Sequence, residues 1–334
     1  MAAVSGRPVL ALLRVVVGAG LALVAFEPIA RLYYDFPGVD EAGIGPVPAT
    51  GSQVRWCVEG CASSTWQAHG VRRLGPYQLV HPDVIVLGDS NTEALQVGDD
   101  EVYTARLERS LGGTQVLNLG RSGFAAADYL GLAERNKSLF EPRWTVITLK
   151  DEDFEGVERG SYVLARAGGA LTAQELPRAP MSRRFELLRR NLALYSFAVF
   201  RWHQLVAAAQ SEPPIFRAGS ALPPPEPPVP IASAKEILAA LSQAYDGRVT
   251  FVFLSRPSPS LEPPPAVELE FDAACAELAA SCVNPRARFQ PLVDAGTPPY
   301  GFSNSTPNSG HLNAVGHAAL ADALAQELGR LALL

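Results

Sequence analysis

An α/β fold with a mostly parallel sheet is predicted by three features of this 334-residue sequence. Apolar runs of strand length recur along it, amphipathic stretches of helical period lie between them, and two runs stop at a glycine with a serine two positions on. Strands buried on both faces read as continuous apolar runs, and their alternation with helices implies crossovers and a parallel sheet. With 48% hydrophobic residues, the chain can bury one large core together with a sizeable insertion.

The chain opens with an apolar run over residues 9–26, interrupted only by Arg14 and preceded by Arg7. A helix of that length rises about 27 Å, close to the thickness of a bilayer core. Residues 1–30 read as an uncleaved single-pass signal anchor. A cleaved signal peptide and a buried helix of a cytosolic protein are the competing readings. Both exported readings put the rest of the chain outside the cytoplasm, periplasmic or extracellular. Four cysteines, spaced as Cys57 and Cys61 and as Cys275 and Cys282, fit an oxidising compartment. Local pairing is the most economical of three connectivities. The spacings do not match zinc knuckles, and no metal or cofactor is expected.

Residues 31–77 hold tyrosines, glycines and prolines with little periodicity and read as an extended extracytoplasmic lead-in, assigned to 31–80. The main domain is then 81–334. Its first strand is the run before Gly88, followed by a helix near 100–111 with Tyr103, Leu107 and Leu111 on one face. A strand over 115–119, a helix over 125–136 and a strand over 144–149 come next. Residues 156–232 break the rhythm as a helical and proline-rich insertion. Within it, 181–209 reads as one long helix whose stripe of Phe185, Leu188, Leu192, Tyr195, Val199 and Trp202 packs on the core, with a lipid-binding face as the alternative. Residues 213–230 read as a stiff proline-rich connector. The sheet resumes over 249–254, a helix follows over 268–280, a short strand lies near Val283, and a helix over 313–331 closes the chain.

The strongest chemical signal is Gly88-Asp89-Ser90-Asn91. It sets a hydroxyl at the carboxyl end of a buried strand, where open α/β sheets keep their ligand crevices, and near free helix N–H groups that favour negative charge. Alone, Ser90 reads equally as a helix cap. Thr92 rules out the Gly-x-Ser-x-Gly elbow. A net charge of −6 with no long basic run argues against nucleic acid as a partner.

Three blocks in order, Gly88-Asp89-Ser90, Asn118-Leu119-Gly120 and Gly310-His311-Leu312-Asn313 with Gly316-His317, resemble the SGNH (GDSL-type) hydrolase superfamily. The resemblance covers roughly residues 82–334. It implies a flavodoxin-like three-layer α/β/α sandwich, with Ser90 as nucleophile, His311 as general base and Gly120 as a backbone oxyanion donor beside the N–H of Ser90. His317 falls inside the last helix and reads as structural.

Two positions depart from the superfamily pattern. Glu152, followed by Asp153, stands where an asparagine would donate to the oxyanion, and an ionised carboxylate only accepts. Glu152 is therefore protonated, or turned away, or the hole rests on two backbone donors. Asn308 and Ser309 stand where the acid would precede the histidine. That leaves Asn308 as an orienting partner, an acid from elsewhere such as Asp294, or a Ser90–His311 dyad. The expected function is a membrane-anchored serine esterase outside the cytoplasm, acting on an acylated small molecule, lipid or carbohydrate. Acyl transfer onto a cell-envelope polysaccharide uses the same residues. A catalytically silent module that binds glycan is the reading of a different class.

Overall fold

The computed structural model describes residues 7–41, 44–73, 75, 77–154, 160–177, 183–211, 232–255, 263–306 and 308–331. Five parallel strands form the central sheet: β1 (Val84–Leu87), β2 (Val116–Asn118), β3 (Trp144–Lys150), β4 (Val249–Leu254) and β5 (Ser281–Val283). Their spatial order is β5-β4-β3-β1-β2. This doubly wound order reverses direction between β1 and β3, which opens a crevice at the carboxyl end of β1.

Side chains leave each strand alternately toward two helical layers. Ile85, Leu87, Ile147, Leu149, Phe251 and Phe253 pack with Tyr129, Phe140, Leu238 and Phe271. Those partners come from helices Ala126–Gly131, Ala133–Phe140, Ala234–Ala244 and Ala266–Leu278. The intervening Val84, Val86, Val146 and Val252 pack with Leu107, Phe289, Leu320 and Leu324 on the other face. Helices Tyr103–Ser110, Arg286–Asp294 and Ala314–Arg330 supply that second layer. The expected helix over 125–136 is two helices, broken beside Gly131, a residue that weakens helix interiors. Both cysteine pairs are disulfides, Cys57–Cys61 and Cys275–Cys282.

The lead-in is structured rather than extended. Strands Tyr34–Asp35, Gln53–Trp56 and Ala62–Thr65 form an antiparallel sheet, and Gly38–Glu41 pairs with Gly45–Pro48. Trp66 is fully buried against them. Buried Arg72 ties this segment to the loop after Ser90, through Asp99 at 3.0 Å and the carbonyls of Glu93 at 2.8 Å and Val97 at 2.7 Å. Strands of two to four residues are too short to carry a legible alternation.

The 156–232 region differs as well. It contains a hairpin, Tyr162–Ala167 with Ala170–Glu175, turned by Gly168 and Gly169 at φ of 58° and 86°. Positive φ at both turn residues is what a two-residue hairpin loop needs. The long helix is two, Arg183–Asn191 and Ala193–Ser211, and residues 181–182 lie outside the described residues. Glu27 starts the second by accepting from the N–H groups of Ala193 (2.8 Å) and Leu194 (3.0 Å). The stripe does not pack on the core: Phe185, Leu188 and Trp202 are exposed, Trp202 by 66%. Phe197 and Phe200 pack instead, against Tyr34. The connector at 213–230 lies outside the described residues.

Residues Arg7–Tyr33 form one helix, exposing Val15, Leu21, Val24, Phe26 and Ile29 among its described side chains. Among the described residues, no helix is long and apolar enough to cross a membrane.

His317 is fully buried in the last helix, its ring stacked on Tyr103 and its Nδ1 accepting from the Tyr103 N–H at 3.3 Å. Burial, with the nearby charges of Arg72 and Arg106, pushes its pKa down to about 3. A depressed value means the folded state resists protonation. The contribution to stability is present above the unfolded-state value of about 6.5 and is lost as pH falls toward the folded one, by up to about 1.4 kcal/mol per pH unit. Melting curves across this range should show a shallower acid slope for His317→Gln than for the wild type. Parallel slopes would mean that His317 does not titrate on unfolding.

Candidate active site

Ser90 sits where β1 ends. The neighbouring Asp89 caps the short helix Ser90–Glu93, its carboxylate accepting from the N–H of Asn91 at 2.9 Å. The cap is therefore Asp89, and the Ser90 hydroxyl, 3.4 Å from Asp89 Oδ2, has a second and closer partner. That partner is His311, whose Nε2 lies 2.9 Å from Ser90 Oγ.

The loop carrying His311 is fixed at several points. The N–H of Leu312 donates to Asn91 Oδ1 at 3.0 Å, seating the loop on the residue after the nucleophile. The Asn313 side chain accepts from the N–H groups of Val315 and Gly316, capping the last helix. Its amide nitrogen donates to the carbonyls of Pro298 (2.7 Å) and Gly301 (3.1 Å). A short polar side chain at the helix start thus holds both the helix and the loop before it.

The other ring nitrogen of His311, Nδ1, lies 2.5 Å from Glu59 Oε2, and the His311 N–H donates to Glu59 Oε1 at 3.1 Å. A carboxylate can only accept, so the proton belongs on Nδ1, leaving Nε2 to accept from Ser90. Burial alone would raise the Glu59 carboxyl, but the hydrogen bond and charge of His311 outweigh it and hold the group below the usual carboxylate range. Gly310 makes room for this carboxylate, since a Cβ there would lie 2.1 Å from Glu59 Oε1.

Glu59 takes the position that the sequence reading gave to Asn308 or Asp294. Asn308 is buried at a φ of 54°, with its N–H on the Tyr300 carbonyl at 3.1 Å. Asp294 ends an exposed helical turn and accepts from Gln290 at 2.9 Å. Neither is among the hydrogen-bond partners of the His311 ring. The one available sequence signal for Glu59 was a carboxylate between two cysteines four residues apart.

On the opposite side of Ser90 the arrangement also differs from expectation. The N–H of Gly120 donates to Asn118 Oδ1 at 2.8 Å, so it is already engaged. Glycine is required there by packing: a Cβ would lie 2.3 Å from the backbone nitrogen of Glu93. The Ser90 N–H, at the first helical position, has no intrahelical acceptor and remains the backbone donor beside the nucleophile.

Glu152 pairs with the Lys150 ammonium at 3.2 Å, and the same ammonium lies 2.6 Å from Asp89. Burial would lower the Lys150 pKa, but the two carboxylates outweigh it and raise it. An ion-paired Glu152 is an acceptor, so of the three expectations for this residue the neutral acid donating to the oxyanion does not fit the pairing. Asp153 turns inward, accepting from the N–H groups of Ala126 (2.6 Å) and Lys150 (2.7 Å). Burial pushes its pKa up to about 8.

Glu152→Gln should therefore change turnover by less than about 10-fold and leave the alkaline limb of the pH profile in place, because an oxyanion donor is worth about 10²–10³ in rate. A gain of that size would instead show that the side chain of residue 152 faces the oxyanion, where an ionised carboxylate cannot donate.

No protein-family model matches the chain, and no curated protein sequence does. Solved structures similar to it include lipolytic proteins of the G-D-S-L family and acetyl xylan esterases, at low identity. TesA is similar at 14% identity and a TM-score of 0.39, over 75% of this chain and 99% of its own. A lipolytic protein of the G-D-S-L family from Veillonella parvula is similar at 10% identity and a TM-score of 0.39, over 74% and 96%. Axe2, an acetyl xylan esterase from Geobacillus stearothermophilus, is similar as a variant at 14% identity and a TM-score of 0.43, over 75% and 96%.

Proposed function

We propose that the chain is a serine ester hydrolase with Ser90 as nucleophile, His311 as general base and Glu59 as the acid that orients and charges the base. The observation that carries this reading is the continuous chain from Ser90 Oγ through both nitrogens of His311 to Glu59. A nucleophile within hydrogen-bond reach of a base, itself oriented by a third group, is the arrangement that covalent acyl transfer requires.

In the forward step Ser90 Oγ attacks the acyl carbon while His311 Nε2 takes the hydroxyl proton. Glu59 stabilises the imidazolium so formed. The N–H of Ser90 faces the developing oxyanion, at a point where the free N–H groups of a helix start favour negative charge. His311 then returns the proton to the departing alcohol, which leaves an acyl-Ser90 ester. Water then attacks the acyl carbon and gives a proton to the same nitrogen; the bond to Ser90 Oγ breaks, His311 returns that proton to Oγ, and the acid leaves. Hydrolysis accordingly needs His311 neutral at the start.

The acyl group is carried on a carbohydrate or lipid alcohol. Ser90 and His311 are only partly buried, and Lys150 and Glu152 make the neighbouring surface polar, which suits a hydrophilic leaving group. The chain works outside the cytoplasm, held at the membrane through residues 1–30. The two disulfides and the exposed apolar side chains of the first helix support that placement.

The test is hydrolysis of short-chain nitrophenyl esters by the purified protein, with and without an added oligosaccharide acceptor. Release of free acid supports hydrolysis. Acylation of the sugar at the expense of free acid makes it a transferase, and no release under either condition removes the catalytic reading.

A further inference from the structure

Glu59 is not carried by the sheet that carries Ser90 or by the loop that carries His311. It lies in Cys57-Val58-Glu59-Gly60-Cys61, a ring closed by the Cys57–Cys61 disulfide. Two side chains tie this ring to the loop leading to His311: Ser305 Oγ donates to Glu59 Oε1 at 3.5 Å, and Asn304 binds the backbone of the ring. Asn304 Oδ1 accepts from the Gly60 N–H at 2.8 Å, while Asn304 Nδ2 donates to the carbonyls of Gly60 (2.9 Å) and Cys57 (3.3 Å). The amide thus brackets the acid, binding backbone groups on both sides of it.

On its outer side the ring is held by the Cys57 N–H, which donates to the Tyr33 carbonyl at 2.8 Å. Gly60 packs closely, since a Cβ there would lie 2.4 Å from the Gln96 carbonyl oxygen. A carboxylate on an open loop would sample many positions. The ring and its amide clamp restrict Glu59 to the one that meets His311.

We propose that the Cys57–Cys61 disulfide and Asn304 are positioning groups for Glu59, so that turnover depends on the closed, clamped ring. The proposal rests on the Ser90–His311–Glu59 reading above. Neither group touches the reacting atoms; each acts through the carboxylate. A displacement of the order of 1 Å in a catalytic constellation costs about 10²-fold in rate.

The test is a double-mutant cycle on ester hydrolysis. Cys57→Ser/Cys61→Ser opens this ring and leaves Cys275–Cys282 intact, while Asn304→Ala releases the clamp and keeps the disulfide, so a folding defect in one does not remove the test. Each should lower kcat about 10²-fold with KM little changed. In a Glu59→Gln background the same substitutions should cost nothing more, because the group they position is already lost. Full activity in the folded single variants, or losses that multiply in the Glu59→Gln background, would overturn the proposal. If Glu59→Gln itself leaves kcat unchanged, the acid assignment fails first, and the proposal with it.

Discussion

Ser90→Ala should abolish ester hydrolysis, with a fall in kcat on the order of 10⁶-fold, and should leave the thermal midpoint almost unchanged. Removing the hydroxyl removes the atom placed to attack within reach of His311 Nε2, so no acyl-enzyme forms. The stability part of the expectation comes from the cap. Because Asp89 and not Ser90 accepts from the first turn of the helix, alanine at 90 keeps the cap and sacrifices only partly buried hydrogen bonds, to His311 and to Asp89. Loss of a true cap typically costs about 1 kcal/mol. A Ser90→Ala protein that is clearly less stable yet hydrolyses esters normally would return this serine to a structural role.

Glu59→Gln is the second large effect, and the more diagnostic one. The substitution keeps length and shape but replaces an acceptor with an amide that can donate to Nδ1. That would favour the tautomer with its proton on Nε2, which cannot take the proton of Ser90. The equivalent exchange in a serine protease triad costs about 10⁴-fold, and a loss of that order is expected in kcat with little change in KM. Because Glu59 is held below the usual carboxylate range, it stays ionised under mildly acidic conditions. A loss of less than about 10-fold would mean that Ser90 and His311 act as a dyad.

Much of the fold was legible because the central strands are buried on both faces. Continuous runs such as Val84–Leu87 and Val249–Leu254 have no polar register to obscure them. The nucleophile and base were legible for a related reason: Ser90 and His311 each stand beside the start of a helix, within short motifs of fixed spacing. Glu59 was not, because it comes from the antiparallel segment ahead of the sheet, whose strands are too short to show a period. Only the fold brings residue 59 to residue 311, and a single sequence does not show which acid crosses that gap.

Glu152 was ambiguous for a different reason. Its place in the motif left three readings open, a protonated acid, a side chain turned away, or a hole on two backbone donors, and the motif alone does not show the neighbouring Lys150 that pairs with it. The aromatic stripe around residue 195 failed through phase: the break at Leu192 lets Glu27 start a new helix, and Phe197 and Phe200 become the packed residues. The hairpin at 162–175 did carry a readable signal in Gly168-Gly169 between two strand-like runs.

The account turns on whether Ser90 is an activated nucleophile. The most direct measurement is intact-mass analysis and peptide mapping of the purified protein after exposure to a fluorophosphonate, which forms a covalent bond with an activated serine without requiring knowledge of the substrate. A single stoichiometric adduct on Ser90 is expected, absent in Ser90→Ala and formed far more slowly in Glu59→Gln. An unmodified protein, or an adduct at another residue, would contradict the assignment.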